Sequence, residues 1–226
     1  MSNEASIYQQ ELFQSFITAL SKYDKTACVR LIQTALVQKK ISIVELYNNV
    51  LTPSLNNIAS NEKTQEISIW EEHIRSGIVR NIIEMSYPFV LEESAYKSDS
   101  LGLNFKALVL CLEEEYHEIG ARMNADFMTL LGFDVYFIGA NTPKKDIIGA
   151  IETLKPKVVS ISVSNYYHLA KLNTLIEEIQ NNIVAKPLIL VGGYAVDHTP
   201  KAQESIHPDF FIHNFEDLKR ITEGLL

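Results

Sequence analysis

One histidine stands where a buried strand should end and a helix should begin. His117 follows the apolar run "FKALVLCL" and lies within "EEEYHEIGARM", residues 113–123. Neutral imidazole is a good ligand for a borderline transition metal, and a loop after a strand can direct it out of the sheet. Glu115, two residues earlier, is a candidate acceptor for the other ring N–H. Taken alone, the segment is better explained as a polar loop that contains a histidine.

Two further short motifs follow at informative distances. The 41 residues 121–161 separate Gly120 from the Ser-Val-Ser motif at 162–164. The 27 residues 165–191 then separate that motif from a Gly-Gly pair at 192–193. Each motif alone is weak, because serines are ordinary sheet residues and a Gly-Gly after a strand usually makes a turn. The spacing between the motifs carries more information than any one of them.

The three motifs resemble the signature of the cobalamin-binding domain, which is Asp-x-His-x-x-Gly, about 41 residues, Ser-x-Leu, about 26 to 28 residues, and Gly-Gly. The resemblance implies a corrinoid bound with its nucleotide base detached from cobalt. His117 would replace that base as the lower axial ligand. The detached nucleotide tail would enter the sheet past Ser162, Ser164, Gly192 and Gly193.

The roles implied by this resemblance agree with the chemistry of the residues. Gly120, like the Gly-Gly pair, would let the backbone approach the tail where a Cβ atom would clash. The Ser162 hydroxyl would hydrogen-bond the tail base in an otherwise apolar slot. Two residues depart from the family pattern. Glu115 replaces the usual aspartate and is one methylene longer, and Ser164 stands where leucine is common.

From residue 105 onward, strand and helix patterns alternate. Strand-like runs are "KALVLCL", "FDVYFIG", "VVSISVS", "PLILVGG" and a weaker "FFIH", and the helical segments between them are 118–131, 143–154 and 168–179. Alternation of this kind predicts βαβ units with a parallel sheet. We therefore expect a flavodoxin-like, Rossmann-like α/β domain with five parallel strands over residues 105–226. Its ligand would lie beyond the carboxyl ends of the strands.

Residues 1–98 instead carry helical spacing and predict a bundle of four or five helices. Pro53 is expected to begin a new helical segment. The polar stretch 91–104 lacks the periodicity and is the predicted linker between the two domains. By the family resemblance, the bundle would cover the upper face of the corrin.

The bundle departs from the light-sensing members of the family. Those members have a tryptophan ten positions before a Glu-His pair and a histidine directly after that tryptophan. The pair is present as Glu72-His73, but Glu62 and Lys63 occupy the two earlier positions. The departure argues against a light-triggered bis-histidine switch.

The only tryptophan, Trp70, lies two residues before Glu72. It is either a core residue of the bundle or a residue that covers the upper corrin face from a shifted position. Trp70 and His73 share one helical face. By the family resemblance, Glu72 and His73 are also expected to bind the cofactor from the upper side. The alternative explanation of this pair is a solvated polar face.

Composition limits the other function classes. The formal net charge is −8 and no Lys/Arg-rich block occurs, so direct nucleic-acid binding is not expected. Cys28 and Cys111 are too far apart in sequence to suggest a zinc or disulfide motif. No signal peptide or membrane-spanning run is evident, and we expect a cytoplasmic protein. The chain has no room for the substrate barrel of a mutase.

The favoured hypothesis is a cobalamin-binding sensor or regulatory protein without its own DNA-binding domain, which acts through a protein partner. The segment "GANTP" at 139–143 resembles the sensor group. The alternative is a corrinoid carrier protein of a methyltransferase system, and a third option is an α/β domain that has lost cobalamin binding. The bound form, adenosyl-, methyl- or hydroxocobalamin, stays open, as does a homo-oligomer. No catalytic residue is assigned, and an enzyme in its own right is not expected.

Overall fold

The computed structural model describes residues 3–63, 67–101, 105–199 and 204–225. The chain divides into two compact units, Met1–Glu93 and Ser94–Leu226. Within the described residues, no helix combines the length and the apolar character needed to cross a membrane.

The first unit is helical, as predicted. Its elements are α1 (Asn3–Ser21), α2 (Lys25–Val37), α3 (Ile43–Leu46), a π-helical turn (Tyr47–Leu51), α4 (Thr52–Lys63) and α5 (Ile69–Leu101), whose last turns belong to the second unit. Local capping sets two of the starts. The Asp24 side chain accepts the Ala27 N–H at the start of α2, and Ser42 and Glu45 form a capping box at α3. The buried faces meet in an apolar core that includes Phe16, Ile32, Leu46 and Ile82.

Pro53 lies in the first turn of α4 without breaking the chain of helices that precedes it. The Thr52 N–H bonds to the carbonyl of Tyr47, five residues back, which is the π-helical spacing. The wider turn places the extra residue just ahead of the proline, whose ring would otherwise clash with the preceding turn.

The predicted linker at 91–104 is helical as far as Leu101, so α5 is longer than the apolar pattern indicates. Residues 102–104 lie outside the described part of the chain. At the start of this stretch, α5 makes polar contacts, and its sequence shows no stripe of apolar side chains. The Glu92 carboxylate forms an ion pair with Lys39 at 2.9 Å, and Glu93 Oε1 accepts the Ile43 backbone N–H at 2.9 Å.

The second unit alternates strands and helices, which confirms the predicted α/β class. Its elements are β1 (Lys106–Leu112), α6 (Ile119–Leu130), β2 (Asp134–Thr142), α7 (Lys144–Leu154), β3 (Val158–Ser162), a 3₁₀ turn (Tyr166–His168), α8 (Leu169–Asn182), β4 (Leu188–Gly192), α9 (Tyr194–Asp197), β5 (Phe210–Ile212) and α10 (Phe215–Glu223). Among the described residues these strands form one five-stranded parallel sheet in the order β2-β1-β3-β4-β5. This is the flavodoxin-like order.

The sheet order decides where a ligand can sit. The chain passes from β1 to β2 on one side and then to β3 on the other, so the connections diverge between β1 and β3. Ligands of open α/β sheets bind at such a switch point, beyond the carboxyl ends of the strands. Nearly all of β1 is buried, because helices cover both faces of a parallel sheet. The polar residues that follow β1 and β3 therefore emerge from an apolar core at one edge.

Candidate cobalamin site

The loop after β1 presents an exposed imidazole on a buried carboxylate. The His117 side chain is 72% exposed, whereas the Glu115 side chain is 1% exposed. His117 Nδ1 lies 2.6 Å from Glu115 Oε1, and the same oxygen accepts the His117 backbone N–H at 3.1 Å. With Glu115 ionised, Nδ1–H is the donor and Nε2 carries the lone pair. The extra methylene of Glu115 relative to aspartate therefore does not prevent the contact.

The second oxygen of Glu115 connects this loop to the loop after β3. Glu115 Oε2 accepts the backbone N–H groups of Ser164 at 3.0 Å and Asn165 at 2.9 Å. It also lies 3.2 Å from Nδ1 of His168, a buried histidine. Sequence reasoning assigned no role to His168. Its position shortly after β3, at the same sheet edge as His117, was the available signal.

This hydrogen bonding controls the charge state of Glu115. Burial by itself would raise the pKa of the carboxyl group, but hydrogen bonds from the His117 ring and from three backbone N–H groups outweigh it and lower the pKa to about 2. Glu115 is therefore an anion at neutral pH, so it keeps accepting from the His117 ring. The pKa of the buried Cys111 thiol is shifted in the other direction, to about 12. Desolvation is the largest cause, followed by the charges of Glu115 and Glu118.

The "GANTP" segment at the end of β2 is attached to the His117 loop. Asn141 Oδ1 accepts the Glu114 backbone N–H at 2.8 Å, and the Asn141 N–H donates to the Glu115 carbonyl at 3.0 Å. Asn141 has φ 51°, a left-handed conformation that asparagine tolerates better than most residues. Glu118 Oε2 adds a bond from the Ala140 N–H at 3.2 Å. Glu115 thus connects three segments: its carboxylate contacts the loop after β3, and its backbone carbonyl accepts from the end of β2.

The structure explains the need for glycine at some of the motif positions but not at all of them. A Cβ at Gly192 would lie 2.6 Å from the Ile212 carbonyl oxygen, and one at Gly193, where φ is 108°, would lie 2.6 Å from that of Val163. Both are therefore required by the chain's own packing. At Gly120, by contrast, no described atom outside the adjoining backbone lies within 4 Å of the position a Cβ would take.

The serines lie where the motif predicts, at the carboxyl end of β3. Ser162 is the last residue of that strand, half-buried between Cys111 of β1 and Gly192 of β4 in the sheet register. Ser164 contacts Glu115 through its backbone N–H. The structure thus brings together the residues of all three motifs at the carboxyl edge of neighbouring strands β1, β3 and β4.

The residues expected to cover the upper corrin face belong to the helical unit. Trp70 is 59% exposed, so the interpretation as a core residue is wrong. Its ring centroid lies 5.9 Å from that of Tyr23. Residue 70 lies in the first turn of α5, where the neighbouring Ile69 is also exposed. Glu72 accepts the Ser76 hydroxyl, and its other oxygen lies 3.5 Å from Nε2 of the exposed His73. Glu62 and Lys63 lie in α4, but their side chains are outside the described part of the structure.

The donor set of the second unit fits cobalamin. A corrin ring brings four nitrogen ligands to cobalt, so the protein needs to add only one donor on the lower face. His117 would be that donor, since its Nδ1 lies 2.6 Å from the buried Glu115 carboxylate and its ring is exposed beyond β1. At Gly120, in the first turn of α6, the position that a Cβ would take is open, which would let a ligand approach this backbone closely.

Comparison with known families supports this fit. A family model described as "B12 binding domain" matches residues 105–219, and a second model with the same description matches residues 12–86. Among solved structures, the monomethylamine corrinoid protein of Methanosarcina barkeri superposes with a TM-score of 0.81 at 15% identity, covering 96% of this chain and 99% of that one. A cobalamin-binding protein from Desulfitobacterium hafniense gives a TM-score of 0.51 at 17% identity, covering 95% and 98%.

Two curated proteins are similar in sequence. The HTH-type transcriptional repressor CarH of Myxococcus xanthus is 23% identical over 161 residues, which are 71% of this chain and 50% of CarH. Monomethylamine corrinoid protein 1 of Methanosarcina mazei is 23% identical over 139 residues, which are 62% of each chain. The matches thus span about half to three fifths of these relatives. Since one family model covers just over half of the 226 residues, the chain belongs to the B12-binding domain family and its cofactor is cobalamin.

Proposed function

We propose that this chain binds cobalamin with His117 as the lower axial ligand, and that it is a sensor or regulatory module that reports the bound corrinoid to a protein partner. The observation that carries the proposal is the contact of 2.6 Å between the exposed His117 ring and the buried Glu115 carboxylate. A carboxylate on one ring nitrogen orients the imidazole and makes the other nitrogen a stronger donor.

The tail of the cofactor would enter beside this histidine. Ser162 ends β3, which pairs with β1, and the Gly-Gly pair lies at the end of β4, which pairs with β3. Gly120 lies in the first turn of α6, which follows β1. Glycine is unfavourable in a helix, and nothing described near Gly120 requires it. Close approach of a ligand to this backbone would account for the glycine.

Glu115 supplies the link that a sensor requires. One of its oxygens contacts His117, and the other accepts the N–H groups of Ser164 and Asn165, which begin the connection to α8. A change in the hydrogen bond to the His117 ring would therefore alter the bonds to a different loop. The bound cofactor would supply a cobalt ion with an exchangeable group, whose identity such a module could report. The similarity to the repressor CarH agrees with a regulatory role.

A His117→Ala variant tests the ligand role. Protein reconstituted with cobinamide, a corrinoid without the nucleotide base, and reduced to the cobalt(II) state should show nitrogen superhyperfine splitting in its electron paramagnetic resonance spectrum, from one axial nitrogen of the protein. His117→Ala should lose that splitting and bind cobalamin at least tenfold more weakly. The control is His207→Ala, an exposed histidine of the same unit, which should behave as wild type. Unchanged splitting in His117→Ala would overturn the assignment.

A corrinoid carrier in a methyltransferase system is the second candidate function. It is favoured by the sequence similarity to a monomethylamine corrinoid protein. A carrier loaded with methylcobalamin should pass its methyl group to an acceptor through a partner methyltransferase and accept another, over many turnovers. A sensor should instead change its assembly state or its affinity for a partner when cobalamin binds. Gel filtration with and without cobalamin, beside a methyl-transfer assay, separates the two functions.

A further inference from the structure

Three exposed tyrosines lie on the two loops that Glu115 joins. Tyr116, directly before His117, is 66% exposed. Tyr166 and Tyr167, in the 3₁₀ turn after β3, are 57% and 72% exposed. Large aromatic rings of this kind make up much of the contact area of binding sites. We call these three residues the tyrosine rim.

The backbone of the rim is fixed by the same carboxylate that fixes His117. The Asn165 N–H donates to Glu115 Oε2 at 2.9 Å, and the Asn165 side chain accepts the Tyr167 N–H at 3.1 Å. An ion pair between Lys171 and Glu114 adds a second connection between the two loops. The two loops that carry the rim are therefore joined at Glu115, one residue before Tyr116, and at Asn165, one residue before Tyr166.

Tyr166 and Tyr167 also support each other. Their ring centroids are 4.1 Å apart with an interplanar angle of 38°. The hydrogen bond to Tyr167, followed by burial, raises the pKa of Tyr166, so this phenol stays protonated at neutral pH. The pair thus offers apolar ring surface with hydroxyl groups that donate and accept hydrogen bonds.

We propose that the tyrosine rim contacts the corrin macrocycle around His117 and contributes to its affinity independently of the nucleotide tail. The inference rests on the proposed ligation of cobalt by His117. A corrin is a broad macrocycle with cobalt at its centre, so a ring ligated by His117 extends over the residues that surround the imidazole. Its periphery carries methyl groups and amide side chains, which suit the rings and the hydroxyls of tyrosine.

Position favours the ring over the tail as the group that these tyrosines meet. The tail motifs lie within the sheet edge, at the half-buried Ser162 and at Gly192-Gly193. The rim residues are instead the exposed parts of the loops around His117. A single occupant, the corrin ring, would thus cover both the histidine and the rim.

The test compares cobalamin with cobinamide, a corrinoid that lacks the nucleotide tail. Dissociation constants are measured for both ligands with wild type, Tyr116→Ala and the double variant Tyr166→Ala/Tyr167→Ala. We expect the double variant to weaken both ligands by a similar factor of roughly ten, and Tyr116→Ala by a smaller factor. The matched control is Phe210→Ala, an exposed aromatic residue on β5 of the same unit, which should leave both constants unchanged. Circular dichroism of each variant verifies the fold.

Each outcome decides the proposal. Equal losses for both ligands support contact with the ring. A loss for cobalamin alone would place the tyrosines against the tail and overturn the proposal, as would unchanged constants for both ligands. A rim with unchanged corrinoid affinity but weaker binding of a partner protein would show that the tyrosines form a protein interface instead. Failure of His117 ligation would appear separately, as wild-type protein whose cobalt(II) cobinamide spectrum shows no axial nitrogen, because cobinamide has no nucleotide base of its own.

The double variant Tyr166→Phe/Tyr167→Phe separates ring contact from hydroxyl contact. If the rings provide the contact, it should bind both corrinoids nearly as wild type does. If the hydroxyls bind the amide groups of the corrin, it should lose part of the affinity for both ligands. Neither result would rescue the proposal if the alanine variants bind normally.

Discussion

The buried Glu115 carboxylate contacts one ring nitrogen of His117, the residue that we propose to bind cobalt through the other. Its carboxylate is buried, ionised and shared between the His117 ring and the loop after β3. Glu115 therefore fixes the tautomer of the neutral His117 ring. The proton stays on Nδ1, and Nε2 keeps the lone pair that can be donated to a metal. His168 contacts the same carboxylate at Oε2, whereas the His117 ring contacts Oε1.

Glu115→Gln should change both stability and its dependence on pH. The pKa of Glu115 is lowered to about 2 in the folded chain, so its contribution to stability is present above its ordinary pKa and is lost as the pH falls from about 5 toward 2. An amide in its place would present N–H groups to N–H groups. We expect Glu115→Gln to lower the free energy of unfolding by roughly 2 to 3 kcal/mol at pH 7 and to show a shallower decline below pH 5.

Urea unfolding of the corrinoid-free protein at pH 7 and pH 3 measures this difference. Glu113→Gln changes an exposed carboxylate in the same loop and should match wild type at both values. If Glu115→Gln lost as much stability between pH 7 and pH 3 as wild type does, the ionised carboxylate would not be the cause.

At the scale of the elements, three connections converge on one point. The loops after β1, β2 and β3 emerge at the same edge of the parallel sheet, where Glu115 and Asn141 join them. The register between β1 and β2 is irregular near its carboxyl end, where Leu110 pairs with Gly139 and Leu112 with Thr142. Val109 pairs with Phe137, so β2 has two extra residues relative to β1. The second falls between Gly139 and Thr142, where Asn141 contacts the His117 loop.

Asn141→Ala should loosen the His117 loop. The change removes the acceptor of the Glu114 N–H and places alanine at φ 51°, where asparagine is better tolerated. We expect a loss of about 1 to 2 kcal/mol in unfolding free energy and weaker cobalamin binding. Asn141→Gly keeps the backbone conformation accessible and should show the loss of the hydrogen bond alone.

The control for this variant is Asn173→Ala, because Asn173 makes an exposed side-chain contact with Glu177 on α8. Chemical denaturation and a cobalamin titration provide the measurements. Equal effects from Asn141→Ala and Asn173→Ala would show that the loop connection has no particular importance for the site.

Gly120→Ala should separate the needs of the ligand from those of the fold. Gly120 in α6 and Gly149 in α7 both lie in helices, and beyond the adjoining backbone no described atom lies within 4 Å of the position that an alanine methyl group would occupy. Alanine favours helix over glycine, so both variants should unfold with a free energy raised by about 0.5 kcal/mol or more. Only Gly120→Ala should bind cobalamin more weakly, as measured by titration of absorbance. Normal binding by both variants would mean that the backbone at Gly120 does not approach the ligand.

At the scale of the whole molecule, a helical unit and an α/β unit each match a B12-binding family. The residues that would face the upper side of a corrin lie in the helical unit, and they depart from the light-responsive pattern at Glu62 and Lys63. Neither a carboxylate nor an ammonium can replace a tryptophan ring against the adenosyl group, and an ammonium is not a metal ligand while it is protonated.

Illumination should therefore leave the assembly of this protein unchanged. Adenosylcobalamin-loaded protein is compared in the dark and after green light by gel filtration and by its absorption spectrum. We expect the same elution volume in both conditions and no bis-histidine spectrum, because Lys63 takes the place of the second histidine. The double variant Glu62→Trp/Lys63→His tests whether these two residues are sufficient for a light response. A light-dependent change of assembly in the wild type would contradict the prediction.

The sequence by itself determined the fold class, the cofactor and the expected position of the lower ligand. Parallel strands bring their carboxyl ends to one edge, so motifs that follow β1, β3 and β4 at given distances must meet there, and their spacing is visible in the sequence alone. The same pattern also predicted a linker at 91–104, whereas in the structure α5 continues to Leu101. Polar contacts accompany this part of the helix, and they leave no apolar periodicity in the sequence.

Only the tertiary structure decided how the His117 ring is held. Ser164, Asn165 and His168 reach Glu115 from 49 to 53 positions away, and no local pattern encodes which carboxylate oxygen they share. Helical periodicity showed that Trp70 and His73 lie on one face, but whether other elements cover that face depends on packing, and Trp70 is exposed. Sequence spacing sets which residues can meet, whereas burial and hydrogen-bond geometry depend on segments distant in the chain.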